Sequence, residues 1–147
     1  AETRRSLSRD GLLDLLIATR VGPRVGRGTL CFLTHYPASQ AALARLDPTD
    51  PTTALRFEVY AGGQELANAF DELTDPTEQR RRFEGDLAIR KREHRQTPPI
   101  DERLLSALGR MRPTSGIALG FDRLLMLLTG AAHIDDLRTQ PWTERPL

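Results

Sequence analysis

The sequence predicts an α+β fold, in which helices pack on an antiparallel β-sheet. Residues 56–68 contain two alternating runs around Gly62-Gly63, which is the pattern of a β-hairpin with a tight turn. Asp75-Pro76 is typical of a helix start, with a capping residue followed by proline. The apolar run 117–128 is interrupted by Gly120, which predicts a buried strand that leads into a short, well-buried helix.

Composition predicts a soluble, globular chain without a membrane role. The 147 residues are 39% hydrophobic and 28% charged, which is ordinary for one domain. No apolar run approaches the roughly 20 residues that span a bilayer, and no signal-peptide pattern follows residues 1–5. The single cysteine, Cys31, leaves no disulfide framework within the chain and favours a cytoplasmic protein. The net charge of +1 gives no reason to expect nonspecific binding to nucleic acid.

The N-terminal part of the chain contains a predicted helix, a connector and a strand. The helix spans Ser8 to Arg20, because Ser8 is a favoured N-cap and leucines recur on one broad face. The glycine-rich segment 22–28 matches no phosphate-loop pattern and is interpreted as a connector. Residues 29–36 are rich in β-branched and aromatic side chains, which predicts a strand that ends at Pro37.

The predicted hairpin places two acidic side chains on one face of the sheet. With the two glycines at the centre of the turn, the predicted pairs are Ala61–Gln64, Tyr60–Glu65 and Glu58–Ala67. Glu58 and Glu65 are then diagonal neighbours, about 7–8 Å apart. Two carboxylates at that spacing repel each other unless a cation lies between them, and Mg²⁺ that carries nucleotide phosphates would meet this need. The alternative is a solvated sheet face on which paired acids are tolerated, and the residues alone leave both open.

Two predicted helices follow the hairpin. The first begins at the cap Asp75 and runs to about residue 92, with Phe83 and Leu87 facing inward. The second is capped by Asp101 and ends at Gly109.

The strand-to-helix run carries two charges, Asp122 and Arg123. An arginine at the start of a buried helix, just after a glycine that lets a ligand approach the backbone, is well placed to hold a phosphate. The alternative is an Asp122–Arg123 pair that only caps the end of the helix. The residues alone do not decide between the two.

Residues 116–128 resemble motif 3 of the class II aminoacyl-tRNA synthetases, a glycine-rich strand that enters a helix through Gly-x-Asp-Arg. The resemblance implies that Arg123 is a catalytic residue that contacts the γ-phosphate of ATP. It also implies that Gly120 lies against the nucleotide. The phosphate-binding interpretation of Arg123 is therefore the one favoured here.

Residues 57–75 resemble the lysine-specific branch of the same family, which implies ATP and Mg²⁺ as cofactors. The residues that the resemblance assigns are Glu58 and Val59 for ATP, Glu58 and Glu65 for the metal, and Glu65, Asn68 and Glu72 for the lysine pocket. An ammonium side chain needs such acidic and carbonyl partners in a dry pocket. One departure from the family pattern is Ala69, where glycine is usual and where a left-handed backbone would strain alanine.

Segments 36–44 and 65–68 are most similar to truncated relatives of lysyl-tRNA synthetase. Those proteins activate lysine, preferably its β-isomer, and attach it to a lysine of elongation factor P. Ala118 agrees with this assignment and is added to the lysine pocket, because lysyl-tRNA synthetases usually have glycine at the matching position. Lysyl-tRNA synthetase itself, with tRNA as the acceptor, is the second hypothesis.

Over residues 1–147 the chain resembles the C-terminal part of a class II catalytic domain, with motif 3 at 116–128 and without motifs 1 and 2. No Phe-Arg-x-Glu pattern of motif 2 precedes Arg56. The resemblance implies a longer parent enzyme that forms a homodimer, and an isolated chain that does not activate lysine. A hypothesis of a different class is a non-catalytic remnant that binds a nucleotide or a partner.

Overall fold

The hairpin predicted around Gly62 and Gly63 lies at the centre of the fold. The computed structural model describes residues 7–139. In chain order, the helices and strands are α1 (Arg9–Leu16), β1 (Cys31–Leu33), β2 (Tyr36–Pro37), β3 (Thr53–Ala54), β4 (Arg56–Ala61), β5 (Gln64–Asp71), α2 (Pro76–Arg92), α3 (Glu102–Leu108), β6 (Ser115–Leu119) and α4 (Phe121–Thr129). The chain also forms a π-helical turn at Ile17–Val21 and 3-10 turns at Gly22–Arg24, Ala38–Gln40 and Ile134–Leu137.

The main sheet has four strands in the order β1-β4-β5-β6, and every neighbouring pair is antiparallel. β2 and β3 form a separate antiparallel pair. The predicted α+β class with an antiparallel sheet is therefore confirmed.

The register of the hairpin confirms two of the three predicted pairs and corrects the third. The confirmed pairs are Ala61–Gln64 and Tyr60–Glu65. Both turn glycines have a left-handed backbone, with φ of 58° and 81°, as a tight two-residue turn requires. Beyond Tyr60 the register shifts, so that Glu58 pairs with Asn68 and the predicted pairing with Ala67 was wrong.

The register shift is a β-bulge in which Leu66 is the additional residue of β5, because Val59 pairs with Ala67. The carbonyl of Leu66 accepts a hydrogen bond of 2.8 Å from the amide of Gly120. The bulge is therefore the point at which the start of α4 is attached to the sheet.

The helix and the strand predicted before the hairpin are present, but each is divided into two shorter elements. The side chain of Ser8 caps α1 and accepts a hydrogen bond of 3.1 Å from the amide of Gly11. α1 ends at Leu16, and the chain continues as the π-helical turn. The strand predicted over 29–36 is split into β1 and β2, because His35 adopts a left-handed backbone (φ 59°) that interrupts the extended chain.

The caps predicted for the later helices are confirmed. The carboxylate of Asp75 accepts hydrogen bonds from two amides at the start of α2, and Asp101 does the same for α3. α2 ends at Arg92 as predicted, and α3 ends just before Gly109. Gly130 closes α4 in a left-handed conformation with φ of 72°.

The strand-to-helix run is much more exposed than predicted. On β6, Ile117 and Leu119 are 60% and 52% exposed, and Phe121 and Leu128 on α4 are exposed as well. The buried strand and the well-buried helix are therefore corrected to an edge strand and a surface helix within the described residues. Apolar spacing identifies the face that needs a partner, but the partner is not among residues 7–139.

The buried core lies beside the β4–β5 hairpin. Its central residues are Tyr36, Ala41, Ala44 and Ala54, with Ile17, Leu33, Leu46 and Phe70 packed against them. This core holds the short β2–β3 pair against the main sheet. Among the helices of residues 7–139, none combines the length and the apolar character needed to cross a membrane.

Candidate active site

The candidate residues share one face of the main sheet. The rows of cross-strand neighbours on this face are Arg56–Phe70–Gly116, Glu58–Asn68–Ala118 and Tyr60–Glu65. In a regular strand Glu65 and Asn68 would face opposite sides, because side chains alternate and the two are three positions apart. The bulge at Leu66 adds one residue, so both side chains face the side of Glu58. The one-residue bulge thus brings Glu58, Glu65 and Asn68 to the same face of the sheet.

Glu58 is a buried carboxylate, with only 7% exposure. Its Oε1 accepts a hydrogen bond of 2.6 Å from Nη2 of Arg56, and its Oε2 accepts one of 2.8 Å from the hydroxyl of Tyr60. Burial raises the pKa of Tyr60, and the hydrogen bond to Glu58 raises it further, so this hydroxyl keeps its proton. Glu58 is therefore held at both oxygens.

Arg56 connects three segments around Glu58. Besides its ion pair with Glu58, it donates through Nη1 to the carbonyl of Gln40 at 2.8 Å and through Nε to Oδ1 of Asn68 at 3.4 Å. Its guanidinium carbon lies 4.3 Å from the centre of the Tyr36 ring, which is a cation–π contact. The hydroxyl of Tyr36 is buried and has no hydrogen-bonding partner among the described residues.

Arg56 is a site residue that was not predicted from the sequence. The available signal was the alternation of β4, which puts residue 56 on the same face as Glu58. Its contacts with Gln40 and Tyr36 are made by separate segments, so alternation alone does not predict them.

Glu65 and Arg123 meet at the other end of this face. Nη1 of Arg123 donates to the backbone carbonyl of Glu65 at 2.8 Å and lies 3.9 Å from its carboxylate Oε2. Burial raises the pKa of Glu65, and the negative charge of Glu58 raises it further, whereas Arg123 and Arg56 lower it. The alternative in which Arg123 pairs only with Asp122 is wrong, because its recorded partners belong to Glu65.

A cavity of about 460 Å³ opens between these residues and the N-terminal segment. The residues that line it include Glu58, Glu65, Arg56, Arg123, Gly22 and Pro23. Segment 22–28, interpreted from sequence as a connector, therefore supplies part of one wall through its first two residues. This wall is attached by a hydrogen bond of 2.7 Å from the amide of Gly62 to the carbonyl of Gly26.

The other residues predicted for the lysine pocket lie on the same face but outside the lining of this cavity. Asn68 pairs with Ala118 in the row next to Glu65. Glu72 lies beyond them, and its Oε1 is so close to Gly116 that a Cβ added there would be 2.6 Å away. Ala69, the departure from the family pattern, is a buried residue of β5. Its φ is not positive, so alanine does not experience the strain of a left-handed backbone there.

Gly120 lies at the start of α4 with φ of −72° and ψ of 92°. Any residue adopts this backbone, so the conformation of the chain does not require glycine at this position. A Cβ added there would be 3.4 Å from the carbonyl of Leu66 and 3.5 Å from Cδ of Arg123. These are ordinary van der Waals distances, so the described residues leave room for a Cβ at this position.

The charges at the site partly balance within the protein. Arg56 pairs with Glu58, and Arg123 approaches Glu65, so the two acids already have cationic neighbours. Within residues 7–139, no cluster of three or more His, Cys, Asp or Glu side chains is arranged to hold a metal ion. The rise in the pKa of Glu65 caused by Glu58 nevertheless means that the two carboxylates repel each other. Two carboxylates would be enough for a Mg²⁺ ion that arrives with nucleotide phosphates, since such an ion needs only one or two protein carboxylates.

A second cavity of about 460 Å³ is lined in part by Phe57, Ala69 and Ile117. These residues alternate with the candidate residues along their strands, so their side chains face the opposite side of the sheet. Glu58, Glu65 and Arg123 do not line this cavity, whereas Arg56 contributes to its lining as well.

Comparison with known proteins gives a consistent family match. The profile described as tRNA synthetases class II (D, K and N) matches residues 19–144. An elongation factor P--(R)-beta-lysine ligase from Vibrio cholerae is 47% identical over 135 residues, which cover 91% of this chain and 42% of that protein. The ligases of the same name from Edwardsiella ictaluri and Salmonella gallinarum are 49% and 51% identical, each over 88% of this chain and 40% of the relative. The chain thus spans about two fifths of the length of these relatives.

Proposed function

The chain belongs to the class II (D, K and N) tRNA synthetase family, and we propose that it supplies the nucleotide- and lysine-binding part of a ligase. The complete enzyme uses ATP to activate lysine or β-lysine and transfers it to a lysine side chain of elongation factor P. Support comes from the similar relatives, which are named as ligases for that amino acid and that factor.

The proposed reaction has two steps. The carboxylate of the amino acid attacks the α-phosphorus of ATP, so that an acyl-adenylate forms and pyrophosphate leaves. The amine of the acceptor lysine then attacks the carbonyl carbon, so that an amide forms and AMP leaves. Each step needs the reactants held in line and the phosphate charge stabilised.

In this proposal the site residues of the chain divide the binding of ATP and of lysine between them. Arg123 is the catalytic residue that contacts the γ-phosphate, and Gly120 leaves room for the nucleotide beside it. Glu58 and the backbone of Val59 bind the ATP. The lysine side chain and amino group are bound by Glu65, Asn68 and Glu72, with Ala118 shaping the pocket.

The observation that carries the proposal is the position of Glu58, Glu65 and Arg123 around one cavity. Two acids and an arginine in a partly buried cavity suit a ligand that carries both ammonium and phosphate groups. Mg²⁺ that arrives with ATP would be held by Glu58 and Glu65, and would neutralise phosphate charge when bound.

Lysyl-tRNA synthetase is a second candidate, because the matching family description includes the lysine enzymes. A non-catalytic protein that binds a nucleotide or a partner is the third candidate. A cytoplasmic location and a homodimeric complete enzyme follow from the family resemblance and belong to the proposal.

The test uses the complete gene product, ATP and labelled lysine or β-lysine, with elongation factor P and tRNA offered together. We expect label on elongation factor P, with β-lysine the better substrate. Efficient charging of tRNA would instead support the synthetase. Binding of ATP without transfer to either acceptor would support the non-catalytic protein.

A further inference from the structure

The side chain of Arg56 is hydrogen-bonded both to Glu58, which is proposed for the nucleotide, and to Asn68, which is proposed for lysine. We propose that Arg56 is a positioning residue that holds Glu58 and Asn68 in the orientation in which both ligands bind. This inference rests on the proposed function, because it takes Glu58 and Asn68 as ligand contacts. Arg56 itself is assigned no contact with the reacting atoms.

The contacts of Arg56 depend on the planar, forked shape of its guanidinium group. Three of its nitrogens donate in three directions, to Oε1 of Glu58, Oδ1 of Asn68 and the carbonyl of Gln40. The flat group is stacked at 4.3 Å from the ring centre of Tyr36 and lies 5.7 Å from that of Phe70. Its side chain is only 16% exposed, so few other orientations are open to it. A lysine keeps the charge but has neither the planar fork nor the stacking surface.

The hydroxyl of Tyr60 can report the orientation of the Glu58 carboxylate. Oε2 of Glu58 accepts from the hydroxyl of Tyr60, and Oε1 accepts from Arg56. If Arg56 sets the direction of this carboxylate, a change at Arg56 alters the hydrogen bond made by Tyr60. The signal of Tyr60 therefore reports on this carboxylate, and its loss in a Tyr60→Phe variant identifies it.

A purely structural arginine of the same kind exists elsewhere in the chain. Arg82 on α2 is 15% exposed and pairs with Glu78 at 2.9 Å. It also donates to the carbonyls of Ala42 and Ala44 at 2.9 and 2.7 Å. It matches Arg56 in burial and in bonding to one glutamate and to backbone carbonyl groups, but it does not line the candidate cavity.

The experiment compares Arg56→Lys with Arg82→Lys in the complete gene product. The measurements are the melting temperature and the KM values for ATP and for the amino acid in ATP–pyrophosphate exchange, at a temperature at which both variants are folded. Both variants are expected to melt earlier. Only Arg56→Lys is expected to raise both KM values, by about tenfold or more, as for other residues that orient ligand-binding groups. Unchanged KM values in Arg56→Lys, or equal changes in both variants, would overturn the proposal.

A separate readout distinguishes this proposal from the proposed function. If the wild-type protein catalyses no ATP–pyrophosphate exchange with lysine or β-lysine, the proposed function is refuted. The positioning of Glu58 by Arg56 can still be tested in that case. Fluorotyrosine is then incorporated, and the signal of Tyr60 is assigned with Tyr60→Phe. A shift of this signal in Arg56→Lys, but not in Arg82→Lys, supports the positioning of Glu58 by Arg56. A Tyr60 signal that does not move contradicts it.

Discussion

Glu58 on β4 lies directly opposite Asn68 on β5. Cross-strand neighbours of this kind have Cβ atoms about 4.5–5.5 Å apart. A residue proposed for ATP and a residue proposed for lysine are therefore adjacent, and their ligands would meet above this pair. Adjacent sites for the two reactants are what an adenylate-forming reaction requires.

We expect the isolated 147-residue chain to be inactive in lysine-dependent ATP–pyrophosphate exchange. The sequence has no motif 2 arginine for the α-phosphate, and positioning and charge stabilisation carry most of such a barrier. The complete gene product is the positive control. Exchange catalysed by the chain alone would contradict the expectation.

Arg123→Ala in the complete gene product is expected to raise the KM for ATP more than that for the amino acid. A charge-assisted hydrogen bond is worth about 1.5–3 kcal/mol, which corresponds to roughly tenfold or more in binding. Steady-state kinetics with each substrate varied measures the effect, and the exposed Arg103→Ala on α3 is the control. A lower melting temperature with unchanged ATP dependence would limit Arg123 to its contact with Glu65.

Glu65→Gln is expected to stabilise the protein more at about pH 7 than at about pH 4. Because folding raises the pKa of Glu65, its contribution to stability is present at low pH and is lost as the carboxylate ionises. The glutamine variant, which stays neutral, escapes that loss. Thermal unfolding of both proteins across this range measures the difference. Glu84→Gln on α2 is the control for removing an exposed charge, and an equal difference at both pH values would count against the prediction.

Gly26→Ala is expected to be far more damaging than Gly28→Ala. Both glycines are left-handed, with φ of 71° and 76°, and alanine at such a φ costs about 1–2 kcal/mol. At Gly26 the added Cβ would also lie 2.5 Å from the carbonyl oxygen of Tyr60, whereas at Gly28 nothing lies within 4 Å. Denaturant unfolding of the two variants measures the difference in the free energy of unfolding. Equal losses would mean that the wall formed by segment 22–28 is not held tightly against the hairpin.

The features that depend on neighbouring residues, such as the helix caps and the hairpin turn, were predicted well from the sequence. Asp75, Asp101 and Gly130 act on backbone groups within a few residues, so their effect does not depend on the remaining fold. The glycines of the turn likewise determine the first pairs of the hairpin. The family resemblance then directed attention to Glu58, Glu65 and Arg123, which the structure brings to one cavity.

Features that depend on distant segments were missed or wrong. The bulge at Leu66 is bonded to Gly120, which no pattern within the hairpin indicates. Arg56 contacts Gln40 and Tyr36, which belong to other segments and are brought to it only by the tertiary fold. The prediction that Ile117 is buried was wrong. An apolar pattern shows that a side chain needs to be covered, but not which residues cover it.

The exposed edge of the main sheet has a consequence for handling the purified chain. Within residues 7–139, β6 is the last strand of the sheet, and Ile117 and Leu119 on it face solvent. An apolar edge strand is a template on which the strand of another molecule adds, so concentrated solutions are expected to form intermolecular β-sheet aggregates. A charge on such a strand opposes this addition. Ile117→Lys is therefore expected to delay the rise of light scattering on storage.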